Sequence, residues 1–379
     1  MTANRTINYF VDAVDLSPRP PSATWRRHSI FATDKWRRRL NPGSGSVHRK
    51  VAVWRSSSSA ARCLLLIVLF LLEPRAHADV VLFIEAPINF LGHVSSTGHA
   101  ALLMDRLCSD DHIHMRLCLP GEDGSVVSRY KGIDGYDWLA MPPGPYLFAV
   151  DSVDEVPDSV SVQEVDRLRV DYRANHPGSF AHDPPAYGWV QLLGASYRRQ
   201  IICIRVHTTA AQDQRLMQWL NRRPDRTHFN FFFSNCADFT RQMLDVLFPG
   251  AVHRNLLFDF GMTTPKQLES SLHRYAMRHP DLGFQVYELP QVPGNIPRSG
   301  HLYGVTESFT KSKPFLLPAA ILDPIGIGSI EALGIADHRY VARKDEKVEA
   351  GFFFRPDPDG ATRQSREGVL PDFPGVIDK

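Results

Sequence analysis

The 379-residue sequence predicts an α+β domain: an antiparallel sheet packed on a cysteine-bearing helix, followed by a small β-rich C-terminal extension. Three observations carry this expectation. Residues 112–119, HIHMRLCL, alternate strictly. Ile113, Met115 and Leu117 fall on one face and His112, His114, Arg116 and Cys118 on the other, the period of a half-buried strand. Further on, Phe239, Met243, Leu244 and Leu247 trace a helical stripe that Asn235 caps and Pro249-Gly250 stops. Hydrophobic residues make up 43% of the chain and charged residues 22%, enough to bury a sizeable core.

The first 78 residues read differently from the rest. They hold 13 Lys and Arg against 4 Asp and Glu, whereas residues 79–379 hold 30 against 37. The formal charge of +2 therefore hides an acidic body, and with no basic face on that body a nucleic-acid partner is excluded. Cys63 to Leu72, CLLLIVLFLL, follows Arg55 and Arg62 and precedes Ala76-His77-Ala78. That order is a basic region, a short apolar region and a small-residue cleavage signal, so 51–78 reads as a signal peptide cut after Ala78. Ten apolar residues reach only about 15 Å as a helix, about half a bilayer core. Retention of residues 63–72 as an inner-membrane anchor is the alternative. Residues 1–50, with Arg26-Arg27 and Arg37-Arg38-Arg39 and no regular period, fit no export signal. They read as a misassigned extension ahead of a start near Val51, or else as a disordered basic leader.

The exported body opens with a strand at 80–90, VVLFIEAPINF, and a second begins at His99. After HIHMRLCL, Gly121 to Gly124 marks a turn into the strand SVVSRYKGI, and YLFAVD (146–151) reads as another strand. A helix is expected near 161–174. Residues 200–207 form an apolar strand, and Thr208 or Thr209 caps a helix whose Leu216, Trp219 and Leu220 share a face. FNFFF reads as a strand leading to the Asn235 cap, and Thr264-Pro265 opens a helix running to about Met277. Beyond Pro290 the pattern turns to strand and loop. LLPAAILDPIGIGSIEALGI (316–335) is its most apolar part, broken by Asp323, Pro324 and three glycines. The boundaries follow: a domain over 79–290 and an extension over 291–379.

In an exported, oxidising setting Cys108 and Cys118, ten residues apart, are placed to close a hairpin, and Cys203 reads as a buried small hydrophobe. Cys236 differs. At the first turn of a helix a thiol feels unpaired backbone N–H groups, which favour thiolate. A thiol nucleophile also needs a base, and His99, in SSTGHAALLMD, is the histidine in suitable surroundings. Taken singly, each residue also fits a purely structural role.

THFNFFFSNCADFTRQMLDVL and SSTGHAALLMD together resemble the Lnb N-terminal periplasmic domain family, itself similar to circularly permuted NlpC-type papain-like proteins. In the permuted layout the His strand precedes the Cys helix, as here. The resemblance implies a papain-like domain over about 79–290 with Cys236 as nucleophile and His99 as base. It also implies a third, orienting residue on the strand after the His. HIHMRLCL is the simplest choice of strand, so His112 or His114 is that residue, and spacing does not choose between them. The backbone N–H of Cys236 would supply one oxyanion donor.

The reading this supports is an exported thiol hydrolase or acyltransferase acting on amide or ester bonds of envelope peptides or lipids, without cofactor. The alternative is a non-catalytic envelope domain that keeps the papain-like shape for binding or assembly. His93, His99, His112, His114 and Asp110-Asp111 lie close enough in sequence to raise a zinc site, but no HExxH or paired-Cys spacing supports it, so no metal is expected. Arg198-Arg199 and Arg222-Arg223 read as solvated ends of elements, and Tyr187 and Trp189 as packing beside Pro184-Pro185.

Overall fold

A computed structural model describes residues 78–90, 94–95, 97–133, 136–176, 192–223, 229–311, 313–341 and 346–354. Residues 1–77, which include nearly all of the expected leader and signal peptide, lie outside the described residues, as do His93, Tyr187 and Trp189. The domain is α+β. Its six-stranded sheet comprises β1 (Ala78–Glu85), β2 (His99–Met104), β3 (Ser125–Ile133), β4 (Tyr136–Met141), β5 (Ile201–Thr208) and β6 (Gln285–Leu289). They lie in the order β6-β5-β1-β2-β3-β4, and every neighbouring pair is antiparallel.

Both faces of this sheet are covered, which is why β1 and β2 read as continuous apolar runs. The helices are α1 (Pro143–Phe148), α2 (Val162–Asn175), α3 (Ala210–Arg222), α4 (Cys236–Leu247), α5 (Pro265–Ala276), α6 (Val305–Lys311), α7 (Lys313–Leu322) and α8 (Pro324–Ala336). On one face Val80, Leu82 and Ile84 of β1 meet Leu216 of α3, Phe239, Met243 and Leu244 of α4, and Leu268 and Leu272 of α5. On the other, Val81 and Phe83 meet Tyr146 and Leu147 of α1, Val165 of α2, and Phe353 near the chain's end. The apolar stripe of α4 is buried as the sequence predicts. Thr209 caps α3 and Thr264 caps α5, each accepting the N–H of a residue three positions on.

Four expectations are corrected. HIHMRLCL contributes only Met115–Leu117, paired with Leu107–Ser109 in a separate two-stranded hairpin that the Cys108–Cys118 disulfide closes. The Asp111 carboxylate accepts the N–H groups of Ile113 and His114, and His112 has a φ of 68°, so the first half of the segment bends instead of extending. YLFAVD is helical at its start, because Pro143 sits where a helix tolerates proline and Ala149 closes the turn in the left-handed conformation. FNFFF is a turn: Asn230 Oδ1 accepts from the N–H groups of Phe232 and Phe233, leaving Phe231, Phe232 and Phe233 exposed. The C-terminal extension is helical rather than β-rich. Asp323 caps α8 and Pro324 occupies its first turn, so residues that read as breakers start a helix. Gly294–Asn295 is a two-residue strand there, paired with Val160–Ser161.

Candidate functional site

Cys236 is the first residue of α4. Asn235 before it is in extended conformation, and its Oδ1 accepts the N–H of Asp238 at 2.8 Å. The Asn235 amide donates to the carbonyls of Phe231 and Thr263, tying the cap to two loops. Asp238, in the first turn, is buried among Arg254 at 2.6 Å, Thr263 at 3.1 Å and Arg241 at 3.2 Å. From the sheet side the buried Arg129 pairs with Asp137 at 2.8 Å and donates to Ser234 Oγ at 2.7 Å. The start of this helix is thereby held from every side.

The Cys236 sulfur receives hydrogen bonds from the backbone N–H groups of Ala100 and Ala237. Burial nonetheless dominates and pushes the thiol above its ordinary range, with Glu85 raising it further and the two N–H donors and Arg199 pulling back. The helix terminus therefore does not yield a resting thiolate, contrary to the sequence expectation. Ala100 adjoins His99, so strand β2 and helix α4 bring the cysteine and the histidine to the same end of the sheet.

His99 opens β2 just after Gly98, whose φ is +90°. A Cβ at Gly98 would strike the Glu85 carbonyl oxygen and meet Leu302, so the turn that delivers His99 requires glycine. The His99 ring stacks on Tyr130, its centroid 5.4 Å away, and Nε2 lies 2.8 Å from Ser128 Oγ. Ser128 donates its hydroxyl proton to the Ala100 carbonyl at 2.9 Å. With that proton committed, Ser128 accepts from His99, which assigns the proton of the neutral ring to Nε2 and leaves Nδ1 as the base.

Glu85 sits opposite His99 in the β1–β2 register. It is buried, accepts the Tyr146 hydroxyl, and lies 3.5 Å from Arg199 Nε. Burial raises its carboxyl pKa, with Arg199 and Tyr146 acting against. Burial, with the Arg199 charge added, lowers His99 to about 3. At neutral pH both the His99 imidazole and the Cys236 thiol are therefore neutral.

His112 and His114 do not reach this site. His112 Nδ1 lies 2.8 Å from the Ala140 carbonyl oxygen, and His114 Nδ1 lies 2.6 Å from Asp111 Oδ2 on the exposed hairpin. The strand that follows β2 in the sheet is SVVSRYKGI, and its Ser128 holds the ring position expected of either histidine. The choice of HIHMRLCL failed because that segment leaves the six-stranded sheet. Sequence reasoning also passed over Glu85, Tyr130 and Arg199. The alternation of Val126, Ser128 and Tyr130 puts these three on one face of β3, but which strand lies beside that face is set by the β2–β3 pairing. Arg199 is not a solvated end: it donates to the Ala86 carbonyl and faces Glu85. Arg223 lies over the rings of Trp219 and Phe239.

Cys203 is fully buried, and its thiol pKa is raised by that burial. Among the described residues, the one set of three ligand atoms within 4.8 Å of one another is Cys108, Cys118 and Glu122, and its two sulfurs are already joined. Comparison with family models, curated proteins and solved structures finds no match.

Proposed function

We infer that this chain is an exported thiol hydrolase or acyltransferase of circularly permuted papain-like architecture, acting on amide or ester bonds at the cell envelope. One observation carries the reading: a cysteine at a capped helix N-terminus has its sulfur on the backbone of Ala100, beside a histidine whose tautomer leaves Nδ1 free to act as base. The Cys108–Cys118 disulfide supports an oxidising compartment, and the resemblance of both motifs to the Lnb domain supports the envelope.

In this reading substrate binding expels water and brings a carbonyl to Cys236. His99 Nδ1 takes the thiol proton as sulfur bonds to the carbonyl carbon. The oxyanion is met by backbone N–H groups at the start of α4. The intermediate collapses with loss of the amine or alcohol, which leaves with the proton from His99, and an acyl-cysteine remains. Water or an acceptor amine or alcohol then attacks, gives its proton to His99 and releases the thiolate. Ser128 orients His99 but, being uncharged, does little to stabilise the imidazolium.

That last property favours a second reading, a non-catalytic envelope domain for binding or assembly. A neutral orienting group and a thiol above its ordinary pKa are what a site without turnover would show. Incubation with p-nitrophenyl esters followed by intact-mass analysis separates the two. The enzyme reading expects an acyl adduct on Cys236, absent in Cys236→Ser and formed about 100-fold more slowly or worse in His99→Ala. An adduct that never forms, or that forms at the same rate without His99, leaves the binding domain.

A further inference from the structure

The most apolar stretch beyond Pro290, 316–335, belongs to a helical hairpin, α7 and α8, whose turn stands exposed. Ile321 is 83% exposed, Leu322 87% and Ile325 82%, and Ile335 is exposed on the last turn. The one residue of α8 that is buried is Gly334, seated against Thr306 and Thr310 of α6. Residues 314–336 contain two charges, Asp323 and Glu331, and Asp323 is occupied in capping α8. Such helices have no polar side to turn to water, which soluble helices packed on one face retain.

The base of the hairpin is built in the opposite way. Arg339 pairs with Asp259 and Asp337, and Lys266 lies 2.7 Å from Glu307 and 3.3 Å from Asp337. Asp259 also takes the N–H of Val305 and the hydroxyl of Thr264. A buried ionic cluster thus fixes an uncovered apolar element to the domain. The same loop that holds Asp259 leads, through Arg254, to the exposed phenylalanines: Arg254 donates to the Phe233 carbonyl and lies 5.8 Å from its ring centre.

We propose that α7, α8 and the Phe231–Phe233 turn form a lipid-docking surface that seats the domain on an anionic bilayer. The inference is independent of whether Cys236 turns over. A lipid surface fits better than a protein partner because both helices are apolar around their circumference, and a protein would cover a single side. Lys311, exposed at the end of α6 where the hairpin begins, supplies positive charge that attracts anionic headgroups. Helices of 10 and 13 residues span about 15 and 20 Å, short of a bilayer core, so the element lies in the interface instead of crossing it. Among the segments outside the described residues, only 63–72 is apolar enough to cover the hairpin from within the same chain.

The test is amide hydrogen exchange on the full chain, with and without vesicles of phosphatidylethanolamine and phosphatidylglycerol, read peptide by peptide so that binding through residues 63–72 does not register at the hairpin. The expected result is slower exchange over 313–336 and 229–235 on vesicle addition. In Ile321→Asp and Ile325→Asp that protection should need about tenfold or more lipid per substitution. Both side chains are exposed, so these variants should retain the fold, checked by unchanged exchange in β1 and β2. Protection of the hairpin without vesicles would mean cover by residues 63–72, or by a second copy if it rises with protein concentration. Either result, or vesicle binding that leaves hairpin exchange unchanged, overturns the proposal.

Discussion

His99 stands at the point where titration and folding meet. Its ring is held by Ser128, stacked on Tyr130 and buried near Arg199, and its folded pKa is about 3 against an ordinary 6.5. The unfolded chain therefore takes up this proton first. The stability that follows from keeping His99 neutral is fully present above pH 6.5 and is lost as pH falls towards 3. Glu85 across the strand pair acts with the opposite sign. Its folded pKa is raised, so its contribution is present below the ordinary 4.5 and is lost as pH rises through the raised folded value. Urea unfolding from pH 3 to 7 should show His99→Gln with a flatter stability profile than the unaltered chain, the two differing most at the neutral end. An unchanged slope would mean that folding leaves the titration of His99 unshifted. Of this residue-scale picture, Cys236 and His99 were legible in the sequence because each sits in a local signature. Ser128 and Glu85 were not, because their place beside His99 comes from strand pairing between segments far apart in sequence.

The cap is where an element sets the chemistry. Asn235 satisfies the Asp238 N–H and, through its amide, anchors the Phe231 and Thr263 carbonyls. Asn235→Ala should cost about 1 kcal/mol or somewhat more in equilibrium unfolding, the ordinary loss of a cap plus released loop ties. It should also speed alkylation of Cys236 by iodoacetamide, because a frayed first turn exposes a sulfur now shut in against Ala100. Slower alkylation would instead show that the cap raises thiol reactivity. Helices α3, α4 and α5 were legible because each carries its own cap and an apolar stripe. YLFAVD, FNFFF and the 316–335 run misled for one shared reason. Aromatic and apolar composition suggested strands or loops, while proline at a first turn, an Asn side chain taking up backbone N–H groups, and an Asp cap directed the backbone elsewhere.

At the scale of the molecule, the cluster of Arg339, Asp259, Asp337, Lys266 and Glu307 joins α5, α6 and the segment after α8. Arg339→Met leaves Asp259 and Asp337 buried without their main cation and should destabilise the fold by about 3–5 kcal/mol. Thermal unfolding should show the loss, and the double variant Arg339→Met/Asp259→Leu should recover part of it. If the single variant is as stable as the parent, the cluster is solvated and does not hold the hairpin. The sequence by itself determined the α+β class, the acidic composition of residues 79–379 behind a basic N-terminal segment, and the capped helix that starts at Cys236, since these rest on local periodicity, composition and caps. Only the tertiary structure decided that Ser128 rather than His112 or His114 holds His99, that burial outweighs the helix terminus at Cys236, and that the 316–335 run stands uncovered. Those outcomes depend on which strands become neighbours and on how much water each group loses, and neither quantity is written in any local stretch of chain.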